Sequence, residues 1–239
     1  MKMKGRLVNE KTLELNITHE GMSGVRIGVI GFSQHQESKI GADVLYPCGK
    51  PFVIQFKAAK RGVDGHSATF QVNNNRKRNQ HRVLDVIAKS GVCEAYYAFP
   101  LIVSDVFLTA NFGNLLKFTF MVEAQRITGN INWMNQVHTV EMKSGFAFTV
   151  KSGETVSGEG FSAKEFFDKK AKEIEGKIVD ETIMSGYIRD LIERMDHIAK
   201  EAEIPGESEH TITVIGTDIT KEQLGYLQLP VRIRGLQQG

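Results

Sequence analysis

"GFSQHQESKIGADVLYPCGKPFVIQFKAAKR", residues 31–61, holds two short apolar runs separated by "PCGKP". Pro and Gly bound each run, so GADVLYP (41–47) and PFVIQFKAA (51–59) read as two strands of a tight hairpin. Polar residues interrupt them. Asp43 opens the first strand, and Gln55 and Lys57 sit two apart near the end of the second. Residues two apart in a strand share a face, and paired positions on neighbouring strands come within about 5 Å. Either Gln55 and Lys57 form the solvent face of an edge strand, or they converge with Asp43. Asp43, opening its strand, is expected outside the apolar core.

Outward from the hairpin, residues 9–22 read as a helix capped by Asn9, and VRIGVIGF (25–32) as a strand. FSQHQESKIG is a polar connection with room for one helical turn. A basic loop rich in Gly and Asn follows the hairpin. NQHRVLDVIAKSG (79–91) reads as a helix stopped by Gly91, and CEAYYAFPLIV as a buried strand. Residues 105–150, with VFLTANFG, LLKFTFMVEA and GFAFTVKSG, read as β-rich. Ser162 to Glu165 forms a capping-box pattern before one helix, and a second runs from about Thr182 to Ala202. HTITVIGTDIT and LQLPVRIRG read as late strands. The expected class is α/β, divided into a core (1–104), a β-rich extension (105–160) and a helical and late-strand elaboration (161–239) packed on the same core.

The 239 residues suffice for a sizeable core without staples. Two cysteines without a CxxC pair argue against a disulfide scaffold or a thiolate zinc site, and fit a cytoplasmic protein. No secretory leader pattern opens the chain. The longest apolar run, Ala95 to Val103, is too short to span a bilayer, so no membrane partner is expected. Net charge is only +2, yet from Lys57 to Arg82 seven Lys or Arg face one acid, Asp64. Such a local surface either attracts a polyanion or is a solvated loop.

Asp43, eleven residues, then Gln55-Phe56-Lys57 resembles the PD-(D/E)xK nuclease superfamily in its Q-x-K variant. The order of helix, three strands, helix and strand over residues 9–103 is similar to that superfamily's αβββαβ, restriction-endonuclease-like core. Ala42 stands where the motif has proline, and Gln55 where it has an acid. The resemblance implies a Mg²⁺-dependent endonuclease acting on DNA in restriction, phage defence or repair, with Mn²⁺ as substitute. Asp43, Gln55, Lys57 and a Glu, either Glu14 or Glu37, would form the catalytic set, and Asp43, Gln55 and Glu37 the metal ligands. Lys60, Arg61, Arg76, Lys77, Arg78, His81 and Arg82 would line the nucleic acid. The alternative is a non-catalytic nucleic-acid-binding or assembly protein that keeps the fold. A homo-oligomer or a place in a larger complex is compatible with either.

Overall fold

The computed structural model describes residues 5–23, 29–47, 50–74, 79–128, 136–152, 154–174 and 181–201. Helix α1 (Glu10–Gly21) begins where Asn9 accepts a hydrogen bond from the Thr12 amide. Strand β1 is Ile30–Gly31. The polar connection after it is longer than one turn, forming helix α2 (Gln34–Ile40). Its ends explain this: Ser33 and Gln36 make a reciprocal capping box, and Gly41 closes the helix at φ 74°.

The hairpin forms as expected. Strands β2 (Val44–Tyr46) and β3 (Phe52–Phe56) pair antiparallel, with Val44 opposite Ile54 and Leu45 opposite Val53. Residues 61–74, expected as a loop, are instead a hairpin of β4 (Arg61–Val63) and β5 (Ser67–Asn74). Ala68, Phe70 and Val72 alternate inward, a period-two pattern masked by the flanking Gly and Asn residues. Helix α3 (Gln80–Ser90) then crosses to β6 (Glu94–Pro100), which pairs parallel with β3.

A second correction falls on VFLTANFG, expected as β. Asp105–Ala110 is helix α4, because the Ser104 hydroxyl caps the Phe107 amide. A 3₁₀ turn at Leu115–Phe118 leads into β7 (Thr119–Glu123), followed by α5 (Ala124–Thr128). Strands β8 (Gln136–Lys143), β9 (Ala147–Ser152), β10 (Glu154–Glu159) and β11 (Phe161–Ser162) precede helices α6 (Ala163–Ile174) and α7 (Glu181–Glu201). The two proposed late strands lie outside the described residues.

The described residues form a mixed α/β fold with two sheets. One has the order β1-β2-β3-β6-β7-β11, the other β10-β9-β8-β5-β4. Strands from 105–160 therefore enter both sheets. On one face of the first sheet, Val44, Tyr46, Phe52, Ile54 and Phe56 pack with Leu13 and Ile17 of α1 and Phe166 and Phe167 of α6. On the other, Leu45, Val53, Tyr97 and Phe99 join Val83, Leu84 and Ile87 of α3, the inner side chains of the second sheet, and Leu191 and Met195 of α7. Covered on both faces, β3 is buried at every position, which is why it reads as a continuous apolar run. Among the described residues no helix is long and apolar enough to cross a membrane.

Gly41 ties α2 to α3 two residues before Asp43. A β-carbon there would stand 2.5 Å from the Gln80 carbonyl oxygen, and its φ of 74° disfavours any side chain. Gly41→Ala is expected to cost about 2 kcal/mol or more in urea unfolding. A loss under half of that would mean the α2–α3 junction yields easily.

Candidate metal centre

Extending the β2–β3 ladder by one residue sets Asp43 opposite Gln55, on the face shared by Leu45 and Val53. Asp43 Oδ2 accepts from Gln55 Nε2 at 2.7 Å and from the Phe56 amide at 2.6 Å. Both bonds favour the ionised carboxyl, but burial works against it. Asp43 is 4% exposed, contrary to the expectation that it would stand outside the core; its neighbours Ala42 and Val44 are buried as well. Burial is the largest influence and raises its pKa from 3.8 to about 7; Lys57 opposes this, and Glu10 adds to it.

Gln55 and Lys57 are 1% and 5% exposed, on or just past a central strand, which removes the edge-strand alternative. The Lys57 amide continues the parallel ladder to Ala98 O at 3.0 Å. Its Nζ lies 3.9 Å from Glu10 Oε1. Gln55 Nε2 also donates to Phe56 O at 3.1 Å, so both neighbours of the amide nitrogen are acceptors. That fixes the amide's orientation and leaves Gln55 Oε1 buried with no hydrogen-bond partner among the described residues. An orphaned buried acceptor costs about 1–3 kcal/mol.

Two helices complete the cluster. Glu14 of α1 is 5% exposed, and burial, only partly offset by Lys11, raises its pKa. Glu37 of α2 is half-buried. Carboxylate oxygens of Glu14, Glu37 and Asp43 all lie within 4.8 Å of one another. Lys11 Nζ sits among them, 2.7 Å from Glu14 Oε1 and 3.7 Å from Glu37 Oε1. Three converging carboxylates are hard oxygen donors, a set that suits Mg²⁺ or Mn²⁺. The residues present therefore fit a divalent cation.

Both Glu residues from the sequence approach Asp43. Sequence reasoning missed Glu10 and Lys11. The signal was available: Glu10 and Glu14 are four apart on α1, and Lys11 is three from Glu14, which places them along one helix side. Lys60 and Arg61 are exposed at the start of β4, and Arg82 is half-buried on α3. Arg76, Lys77 and Arg78 lie outside the described residues.

His81 needs correction. Expected on a nucleic-acid surface, it is fully buried, with Nδ1 3.0 Å from the Tyr97 hydroxyl and the two rings stacked. Burial, then His138 and Lys89, pushes its pKa down to about 3, so it is neutral at physiological pH and offers phosphate no charge.

No family model, curated protein or solved structure matches this chain.

Proposed function

We propose that this protein is a divalent-cation-dependent endonuclease acting on DNA, in restriction, phage defence or repair. The observation that carries the reading is the convergence of Asp43, Glu14 and Glu37 where β2 begins and β3 ends, with Gln55 Nε2 2.7 Å from Asp43 Oδ2 and Lys57 near enough for its charge to act on Asp43. With α2 and the β4–β5 hairpin set aside as additions, the remaining order α1, β1, β2, β3, α3, β6, in which β3 and β6 are parallel, supports the PD-(D/E)xK resemblance.

Asp43, Glu14 and Glu37 would hold the cation, and Gln55 would add its amide oxygen on turning its amide away from the cation-free hydrogen bonds. When bound, the cation supplies charge neutralisation and Lewis-acid polarisation at the phosphate. Lys57 contributes a fixed ammonium where negative charge collects as the phosphodiester bond breaks. Glu10 pairs with that ammonium and also accepts from the Ala58 amide at 3.3 Å, so it holds the turn after β3 against α1. Lys60, just before β4, and Arg61, its first residue, are exposed and suited to backbone phosphates, which position a duplex without reading its sequence.

The second reading, a non-catalytic nucleic-acid-binding or assembly protein, rests on Gln55 standing where the motif has an acid. Incubating the protein with supercoiled plasmid in Mg²⁺, Mn²⁺ or chelator separates the two. Cleavage is expected only with the cation, and Lys57→Ala should slow it at least about a hundredfold. Binding without cation-dependent cleavage would favour the second reading, and an unchanged rate in Lys57→Ala would remove Lys57 from the chemistry.

A further inference from the structure

The acidic cluster already holds one positive charge, supplied by the chain itself. Lys11 is the second residue of α1, where the helix dipole disfavours a cation. Its ammonium nevertheless turns to Glu14 Oε1 and Glu37 Oε1, two of the carboxylates whose oxygens close on Asp43 within 4.8 Å. Burial alone would lower the pKa of Lys11, but the hydrogen bond to Glu14 and the charges of Glu14, Glu37 and Asp43 outweigh it and leave it raised.

We infer that Lys11 is a built-in competitor for the divalent cation, occupying the Glu14–Glu37 side of the site until the cation displaces it. This rests on the proposed cation-dependent function and deepens it. The cluster alone would say little, since acidic groups gather for many reasons. Gln55 supplies the independent observation: its side chain, 1% exposed and bonded through Nε2 to Asp43, carries an oxygen with no hydrogen-bond partner among the described residues.

The two lysines of the site differ in how freely they can leave. The Lys57 side chain is 7% exposed and held in place, whereas that of Lys11 is 56% exposed, so its ammonium can swing into water with little lost packing. Glu14, buried, needs a counter-charge when no cation is bound, and Lys11 provides it. One carboxylate oxygen cannot accept fully from an ammonium and ligate a divalent ion at the same time. Cation binding therefore includes the loss of the Lys11–Glu14 contact, and the affinity for free cation is set lower than the donor set alone would give.

Calorimetric titration of Mn²⁺ into the full chain, without nucleic acid, tests this. Lys11→Met keeps most of the stem and removes the charge; it should bind Mn²⁺ about tenfold more tightly than wild type, the equivalent of one charge-assisted hydrogen bond. Lys11→Arg, which keeps the charge, should stay near wild type. Equal or weaker binding by a folded Lys11→Met would overturn the inference and leave the cation site standing. No Mn²⁺ binding by either protein would overturn both. Acetylation of wild type by an amine-reactive ester, read by mass spectrometry, gives a second measurement that needs no variant. Lys11 should react faster in saturating Mn²⁺, and an unchanged or slower rate would refute displacement.

Discussion

Asp43→Asn is expected to lower cation-dependent cleavage at least about 10³-fold while making the cation-free protein more stable at pH 8. The carboxyl of Asp43 has its pKa raised from 3.8 to about 7, chiefly by burial. Between those values the native chain binds the proton more tightly than the unfolded chain does. The stabilisation from this group is thus fully present below pH 3.8 and is lost as pH rises through about 7. At about 1.4 kcal/mol per pH unit the loss reaches ~4 kcal/mol at most. Asn keeps an oxygen able to accept from Gln55 Nε2 and the Phe56 amide, so the two bonds can persist without the charge. Urea unfolding should show Asp43→Asn ahead of wild type by one to a few kcal/mol at pH 8 (roughly, from the same linkage) and no longer ahead near pH 4.5. If the variant is less stable than wild type at both pH values, Asp43 does not carry that electrostatic strain.

Gln55→Glu should have the opposite effect on the cation-free protein and a gain with cation. The substitution exchanges the Nε2 donor for a second carboxylate against Asp43 Oδ2 and Phe56 O, at a position 1% exposed. A buried charge without its partner costs about 3–5 kcal/mol, unless the carboxyl protonates and shares the burden as a raised pKa. The same carboxylate adds a charged oxygen to the cation donors and should tighten Mn²⁺ and Mg²⁺ binding. Thermal unfolding should therefore show a variant strongly destabilised in chelator and largely restored by Mn²⁺, far more than wild type is. Destabilisation that Mn²⁺ does not relieve would place Gln55 outside the cation's donor set.

The hairpin was legible because its apolar runs are bounded by Pro and Gly, and α1 and α3 because Asn9 and Gly91 mark a start and a stop. Asp43 and Gln55 were brought together by register, which spacing and the short turn determine. The β4–β5 hairpin was hidden because Phe70 and Val72 are buried only by contacts with the rest of the core, which local sequence does not reveal. In α4, a Ser104 cap outweighed the β preference of Val106 and Phe107. Lys11 and Glu10 were not singled out from the sequence; what gives them a role is the approach of α2 and of the residues after β3. His81 was expected to line nucleic acid; the arrival of Tyr97 from β6 gives its buried ring a hydrogen-bond partner that local sequence does not reveal.

That the converging carboxylates hold a divalent cation is the claim on which the proposed chemistry depends. Anomalous diffraction from crystals soaked in Mn²⁺ tests it directly. The expected map has a peak bounded by Asp43, Glu14 and Glu37, with the Gln55 amide oxygen turned toward it and the Lys11 ammonium moved away. Density that leaves Lys11 on Glu14, with Mn²⁺ absent from the cluster at concentrations that fill other carboxylate sites, would contradict it.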